Sequence, residues 1–345
     1  MVDRVGMAQN IGGHALRFGW FFGINRLVDR EASRHGAQRT FKPTKPVPER
    51  GALFAALRDL TLRDANAVGE GLQPPVQIEP SQFGSHLGRL RAMLRDLPGA
   101  VERRADSNAS SARELADADG LPDYFTQDFH YQTGGYLTDE SASLYDAQVE
   151  TLFYGSAALM RRAAARHVLS AVVGRDQRKL ALADVACGTG RFLREVRGAL
   201  PALKLTGIDL SEAYLTEARR HMQGVRPAEF IFGNAEKLPL EDASQDIVTC
   251  IFLFHELPPE VRRRVTAEFA RVLKPGGTLV FMDSLQMGDR PDWDGMIEAF
   301  PVRFHEPYYR HYAIDDLDDV FSAAGLAPHV QELAFLSKIM VRRKA

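Results

Sequence analysis

"LADVACGTGRFL", residues 182–193, joins a short apolar run containing Asp184 to a turn with two glycines and then to a helical pattern. The run is apolar on both alternating faces, as a strand covered on both sides of a sheet should be. Gly188 and Gly190 remove side chains, so backbone N–H groups can approach a ligand, and the next helix begins with partial positive charge. A glycine pair alone is equally a plain strand-to-helix turn, so the surrounding residues decide.

Outward from this stretch the pattern alternates. "LALADVA" (180–186), "LKLTGIDL" (203–210), "AEFIFG" (228–233), "DIVTCIFLF" (246–254) and "GTLVFMDS" (277–284) read as buried strands. Helical patterns lie between them at about 190–199, in "SEAYLTEARRHM" (211–222) with Ser211 as N-cap, and in "PPEVRRRVTAEFARVL" (258–273). This order predicts an α/β fold, a doubly wound and mostly parallel sheet, whose ligand sits at the carboxyl ends of the strands where strand order reverses.

Two residues narrow the ligand. Asp209 ends the second strand 19 positions after Gly190, where a carboxylate accepts the hydroxyls of an adenosine ribose. Position 193, where a dinucleotide loop has its third glycine, is Leu193, and Asp184 precedes the loop. The missing glycine weakens a pyrophosphate site, whereas an acidic group suits an ammonium. S-adenosylmethionine carries ammonium, carboxylate and adenosine together.

"DVACGTG", "GIDLS", "NAEKLPLEDASQDIVTC" and "RVLKPGGTLVFMDS" occur in that order. They resemble the successive motifs of class I S-adenosylmethionine-dependent methyltransferases, and their wording is similar to the ubiquinone/menaquinone C-methyltransferase type. The resemblance covers about residues 140–342. It implies a seven-stranded, Rossmann-like sheet whose last strand is antiparallel, with "LAPHVQELAF" and "FLSKIMVRR" as the closing hairpin after a helix near 314–324.

By the same resemblance Asp184 and the loop at Ala186, Cys187, Gly188 and Gly190 hold the methionine part of the cofactor, and Asp209 the ribose. Leu210 packs on the adenine face, Asn234 reads the adenine amine through its carbonyl oxygen, Ala235 offers a backbone N–H to the same edge, and Phe252 completes the cofactor set. Cys187 needs no redox role, and Cys250 reads as a buried strand residue.

"FLFHELP" ends the fourth strand at the lip where methyl group and acceptor meet. His255 and Glu256 are therefore candidate catalytic residues, joined by His305 and Tyr309 from "FPVRFHEPYYRHY" (300–312), which is expected to wall the acceptor pocket, and by His130. Methyl transfer is largely a matter of in-line positioning. A base is needed only if the acceptor is a phenol, enol or ring carbon, and His255 ranks first for it. His305, Glu306 and His311 match no strong metal-ligand spacing, so no metal is expected. Tyr131, Tyr136 and Tyr145 are candidate lid residues, able to face a sulfonium by cation–π attraction.

Residues 1–120 read as a helical extension with a Pro-rich linker, 121–175 as an aromatic lid with helices leading into the sheet, and 176–345 as the cofactor-binding domain. The stretch 14–35 places Leu16, Trp20, Phe21, Ile24, Leu27 and Val28 on one stripe, a docked helix or a peripheral membrane- or partner-binding one. "FKPTKPVPER" (41–50) is an extended linker. Helices follow at about 49–68, with Leu53, Leu57, Leu60 and Leu62, and at about 82–97, while 103–120 is polar helix or linker.

Lys and Arg total 43 against 45 Asp and Glu, which leaves no basic excess for a nucleic-acid partner. Two cysteines outside any metal spacing point to a reducing cytoplasm, with the membrane surface as the alternative. The expected function is methyl transfer to a carbon or oxygen of a small, ring-containing or lipid-like acceptor. "FHELPP" is not the Asn/Asp-Pro-Pro-aromatic turn of DNA or amide N-methylation. A non-catalytic adenosyl-cofactor binder or assembly protein, and an NAD-dependent oxidoreductase opposed by Leu193, are the competing classes.

Overall fold

The computed structural model describes residues 2–35, 41–76, 83–106, 112, 115, 120–127 and 134–345. The chain forms two compact units, Met1–Leu159 with Glu298–Glu306, and Met160–Ile297 with Pro307–Ala345.

The second unit holds the sheet. Its strands are β1 (Ala181–Val185), β2 (Lys204–Asp209), β3 (Glu229–Phe232), β4 (Gln245–Ile251), β5 (Leu273–Ser284), β6 (Leu326–Ala334) and β7 (Ser337–Lys344), in the order β3-β2-β1-β4-β5-β7-β6. β1 through β5 pair in parallel and β7 runs antiparallel to both β5 and β6. The seven-stranded, mostly parallel sheet and the closing hairpin are as expected. Strand order reverses between β1 and β4, so the crevice at their carboxyl ends follows the loop 186–190.

In the same unit α6 (Arg191–Ala199), α7 (Glu212–His221) and α8 (Pro259–Val272) are the crossovers between parallel strands. Ser211 caps α7 as expected, its hydroxyl accepting from the Tyr214 N–H at 3.2 Å. Pro259 opens α8, where a missing N–H costs nothing. α5 (Ala157–Val172) precedes the sheet and is followed by Gly174 with φ 74°. Beyond β5 come α9 (Asp294–Arg303), α10 (Tyr309–Tyr312) and α11 (Leu317–Ala323). Phe254 is fully buried among the rings of Phe281, Phe321 and Phe269, with centroids 4.8, 5.9 and 6.1 Å away.

Two strand boundaries differ from the sequence expectation by three residues or more. β4 ends at Ile251 and not at 254, because Phe252 turns into the left-handed region with φ 60° and residues 254–256 form a single 3₁₀ turn. β5 starts at Leu273, since the "LKPGG" segment pairs with Gln245 across an irregular register before the main ladder begins.

In the first unit the N-terminal helix α1 is longer than expected, Arg4–Arg34, capped by the Asp3 carboxylate on the Gly6 N–H. α2 spans Arg50–Gly69, α3 Phe83–Asp106 through Pro98, and α4 Asp139–Leu152 with Thr138 as its cap. The expected apolar stripe is corrected. Phe21 and Ile24 pack with Met93, but Leu16 and Leu27 of α1 and Leu62 of α2 are exposed.

The buried face of α1 runs instead through Asn10 and His14, because α2 presents a buried carboxylate that must be hydrogen-bonded. Asp64 Oδ2 accepts from Asn10 Nδ2 at 2.8 Å and lies 3.0 Å from His14 Nε2. Glu298 binds the Pro-rich linker, accepting from the Thr44 and Lys45 N–H groups and the Thr44 hydroxyl. Among the described residues no helix is long and apolar enough to cross a membrane.

Candidate functional site

The loop between β1 and α6 has the bareness its sequence announced. Ala186, Gly188 and Gly190 all take positive φ, at 57°, 53° and 72°. A Cβ on Gly188 would meet no atom within 4 Å, whereas one on Gly190 would lie 3.0 Å from the Ala218 Cβ of α7. Gly188 therefore borders open space, and Gly190 lets α6 start close against α7. The loop is tied to β2 by the Cys187 N–H on the Ile208 carbonyl at 3.0 Å.

Two carboxylates flank this loop. Asp209, at the end of β2, accepts from the Gly188 N–H at 2.8 Å and the Ser211 N–H at 2.9 Å. Asp184 is buried in β1, directly opposite Thr249 of β4, whose hydroxyl donates to it at 2.6 Å. Burial pushes the Asp184 carboxyl up to about 7, with the Thr249 hydrogen bond opposing and the Asp209 charge adding to the rise. Burial likewise lifts Asp209 to about 6 against the hydrogen bonds of Gly188, Ser211 and Leu210.

Both acids are thus costly to keep ionised until a cation or a set of hydroxyls meets them. Burial, with these two carboxylates beside it, also holds the Cys187 thiol well above its ordinary range, so it stays protonated.

Of the residues expected to meet adenine, Leu210 and Ala235 are half-buried. Asn234 Oδ1 accepts from the Glu236 N–H at 2.8 Å. The carbonyl oxygen expected to read adenine thus already closes a local turn, which fixes the side chain.

The lip of β4 gathers aromatic and titratable side chains. Phe252, half-buried, is anchored by its N–H on the Met282 carbonyl at 2.8 Å and stands edge-on to the His255 ring. His255 is buried, with Nδ1 2.6 Å from Asp283 Oδ1 and Nε2 3.7 Å from Glu256 Oε1. The other Asp283 oxygen accepts from the Phe254 N–H at 2.7 Å. Tyr309 and Tyr312 stand edge-on to the same imidazole, and the Tyr309 hydroxyl lies 2.6 Å from Ser284 Oγ.

The second unit therefore gathers His255, Glu256 and Tyr309 with Asp283 and Ser284. His305 belongs to the first unit, where Nε2 lies 3.0 Å from Gln127 Oε1. Tyr136 is buried there, edge-on to Tyr145 and near Phe125. His311 is exposed, and His130 and Tyr131 lie outside the described residues.

Asp283 and Thr249 escaped the sequence reading. An acidic residue closing the otherwise apolar "LVFMD" run was the available signal for Asp283. Thr249 becomes visible only once the β1/β4 register is known.

The residues fit S-adenosylmethionine on structural grounds. Gly188 leaves space at the loop, and one carboxylate ends β2 while another is buried in β1 with, among the described residues, no cationic side chain bonded to it.

Residues 182–277 match the family described as a methyltransferase domain. The chain is 31% identical over 172 residues to demethylmenaquinone methyltransferase of Thermotoga maritima, covering 50% of this chain and 70% of that protein. It is 32% identical over 152 residues to a ubiquinone/menaquinone biosynthesis C-methyltransferase of Campylobacter jejuni, covering 43% of this chain and 61% of that relative. A phthiotriol/phenolphthiotriol dimycocerosates methyltransferase of Mycobacterium ulcerans is 33% identical over 122 residues, 35% of this chain and 43% of that one.

Among solved structures, human N-acetylserotonin methyltransferase in complex with S-adenosylmethionine has a TM-score of 0.50 at 18% identity, over 79% of this chain and 73% of that one, a likeness of fold. With its motifs, its sheet and these relatives, the chain belongs to the class I S-adenosylmethionine-dependent methyltransferases.

Proposed function

We propose that this chain transfers a methyl group to a carbon or oxygen of a small, ring-containing or lipid-like acceptor that gives up a proton during the reaction. The observation that carries the proposal is the His255–Asp283 contact at the lip of β4. An imidazole whose Nδ1 faces a buried carboxylate is held in one orientation, and Nε2, 3.7 Å from Glu256 Oε1, is the nitrogen assigned to take a proton. The names of the quinone-pathway and phthiotriol relatives support the acceptor class.

When bound, S-adenosylmethionine supplies an electrophilic methyl group on a sulfonium. Asp209 is proposed to hold the ribose hydroxyls, Asp184 and the bare loop at 186–190 the methionine part, and Leu210, Asn234 and Ala235 the adenine. Phe252 turns its ring toward His255 and narrows the space in which an acceptor can lie. His255 receives the proton from an acceptor hydroxyl or ring carbon at Nε2, and Asp283 stabilises the resulting imidazolium. Tyr309 and Ser284 offer hydroxyls beside that ring for orienting a polar acceptor atom.

The test is incubation of the purified chain with methyl-labelled S-adenosylmethionine and three acceptors: a prenylated naphthoquinol, a simple phenol and a hydroxylated lipid. The expected product is one acceptor heavier by one methylene, formed about 10²–10⁴-fold more slowly by His255→Asn. Equal turnover by His255→Asn, or tight cofactor binding with no methylation of any of the three, would overturn the proposal.

A further inference from the structure

Arg262 of α8 is fully buried, and among the described residues its guanidinium binds the two segments that carry the proposed acid–base residues. Its Nε donates to the Phe254 carbonyl at 3.0 Å and the Leu257 carbonyl at 3.1 Å, the two ends of the turn that carries His255. One terminal nitrogen meets Asp315 Oδ2 at 2.5 Å, and the other donates to the Tyr308 carbonyl at 3.3 Å. The guanidinium also stands 5.7 Å from the centre of the Tyr312 ring.

Asp315 is in turn held by Arg263 at 3.2 Å, and its backbone carbonyl, with that of Tyr312, accepts from the Gln286 amide. A planar fork with five donors can satisfy this set at once, whereas an ammonium on a flexible stem cannot.

We propose that Arg262 is a positioning residue, a buried clamp that locks the 254–257 turn bearing His255 to the 308–315 segment bearing Tyr309. The inference rests on the acid–base role proposed for His255. Arg262 touches neither cofactor nor acceptor and acts through the backbone on either side of the imidazole. Its loss lets the turn and the tyrosine segment move independently, so the His255 ring loses its fixed distance to Asp283 and Tyr309.

The test follows the His255 imidazole by nitrogen-detected NMR titration in the full chain, in Arg262→Lys and in Asp315→Asn, with S-adenosylhomocysteine affinity as the control for intact folding. The expected result is a His255 midpoint moved by about half a pH unit or more, with loss of a single fixed tautomer. Nucleoside affinity should stay within about twofold, because no clamp contact reaches the 186–190 loop. Conservative Arg262→Lys should keep part of the folding and none of the fixed tautomer.

Unchanged His255 titration in a folded variant would overturn the clamp. Should both variants fail to fold, hydrogen exchange of the unaltered chain decides. Peptides covering 252–258 and 306–314 must lose protection together, and independent opening of the two sinks the inference. Methyl transfer by His255→Asn separates the two levels. Full turnover by that variant with a perturbed ring in Arg262→Lys removes the acid–base role and leaves the clamp. Lost turnover with an unperturbed ring removes the clamp alone.

Discussion

Asp283 places one carboxylate oxygen 2.6 Å from Nδ1 of His255 and the other 2.7 Å from the Phe254 N–H, so one side chain fixes both the imidazole and the turn it rides on. The first oxygen also accepts from the Ser284 N–H at 2.7 Å. A carboxylate with this many donors, buried at the end of β5, is acceptor-only, and it therefore dictates which ring nitrogen carries hydrogen.

Asp283→Asn tests this assignment. An amide keeps the shape but offers one acceptor oxygen in place of two, and its NH₂ would face either a backbone N–H or Nδ1. Turnover should fall about 10²–10⁴-fold with cofactor affinity unchanged, and the acid limb of the rate profile should lose its histidine midpoint. A loss confined to the acceptor KM would show that Asp283 shapes the pocket and does not serve the base.

The paired acids at the loop give a pH dependence of known sign. Both carboxyls are raised from an ordinary 3.8, Asp209 to about 6 and Asp184 to about 7, so between pH 4 and 7 the folded chain binds more protons than the unfolded one. Their contribution to stability is complete below about pH 4 and is lost as pH rises through 6 and 7. A cationic ammonium favours the ionised acid, so cofactor binding should release protons near pH 7 and tighten between pH 6 and 8. Calorimetry in two buffers of different ionisation enthalpy reads both effects. Proton uptake on binding would reverse the assignment of Asp184.

Thr249→Val sharpens the same point at a single hydrogen bond. The hydroxyl at 2.6 Å opposes the rise of the Asp184 carboxyl, and valine keeps the volume without the donor. The midpoint for cofactor-linked proton release should move further upward, and affinity at pH 7 should weaken by about tenfold, the value of one lost hydrogen bond to a charged group. Titration calorimetry at pH 7 and pH 8.5 checks it, because the deficit should shrink at the higher pH.

The sheet was legible because a parallel strand buried on both faces has no polar alternation to obscure it, as the unbroken burial of Asp246–Cys250 illustrates. The glycine loop, Asp184 and Asp209 were legible because their spacing is local. The left-handed turn at Phe252 was hidden, since nothing in its side chain marks a residue bent to φ 60°. The His255–Asp283 pair joins positions 28 apart through the β4/β5 pairing, a relation that only register supplies. The first unit was misread at α1 because periodicity counts apolar residues, whereas the buried face there is set by Asp64 from another helix.

That buried polar cluster makes the last prediction. Asn10, His14 and Asp64 are all fully buried, and the Asn10 carbonyl also accepts from the Val76 N–H at 2.8 Å, so removing the central carboxylate orphans two donors inside the helical unit. Asp64→Ala should cost about 2–6 kcal/mol, at about 1–3 kcal/mol for each buried donor left without its acceptor. Replacing Asn10, His14 and Asp64 together by leucines of similar bulk should restore only part of it, because the cluster's own donors are gone but the Val76 N–H loses the Asn10 carbonyl. Amide exchange in α1 and α2 is the measurement. Protection should fall in both helices with Asp64→Ala and return in part in the triple replacement. If the single variant leaves exchange untouched, the α1/α2 contact does not depend on the carboxylate.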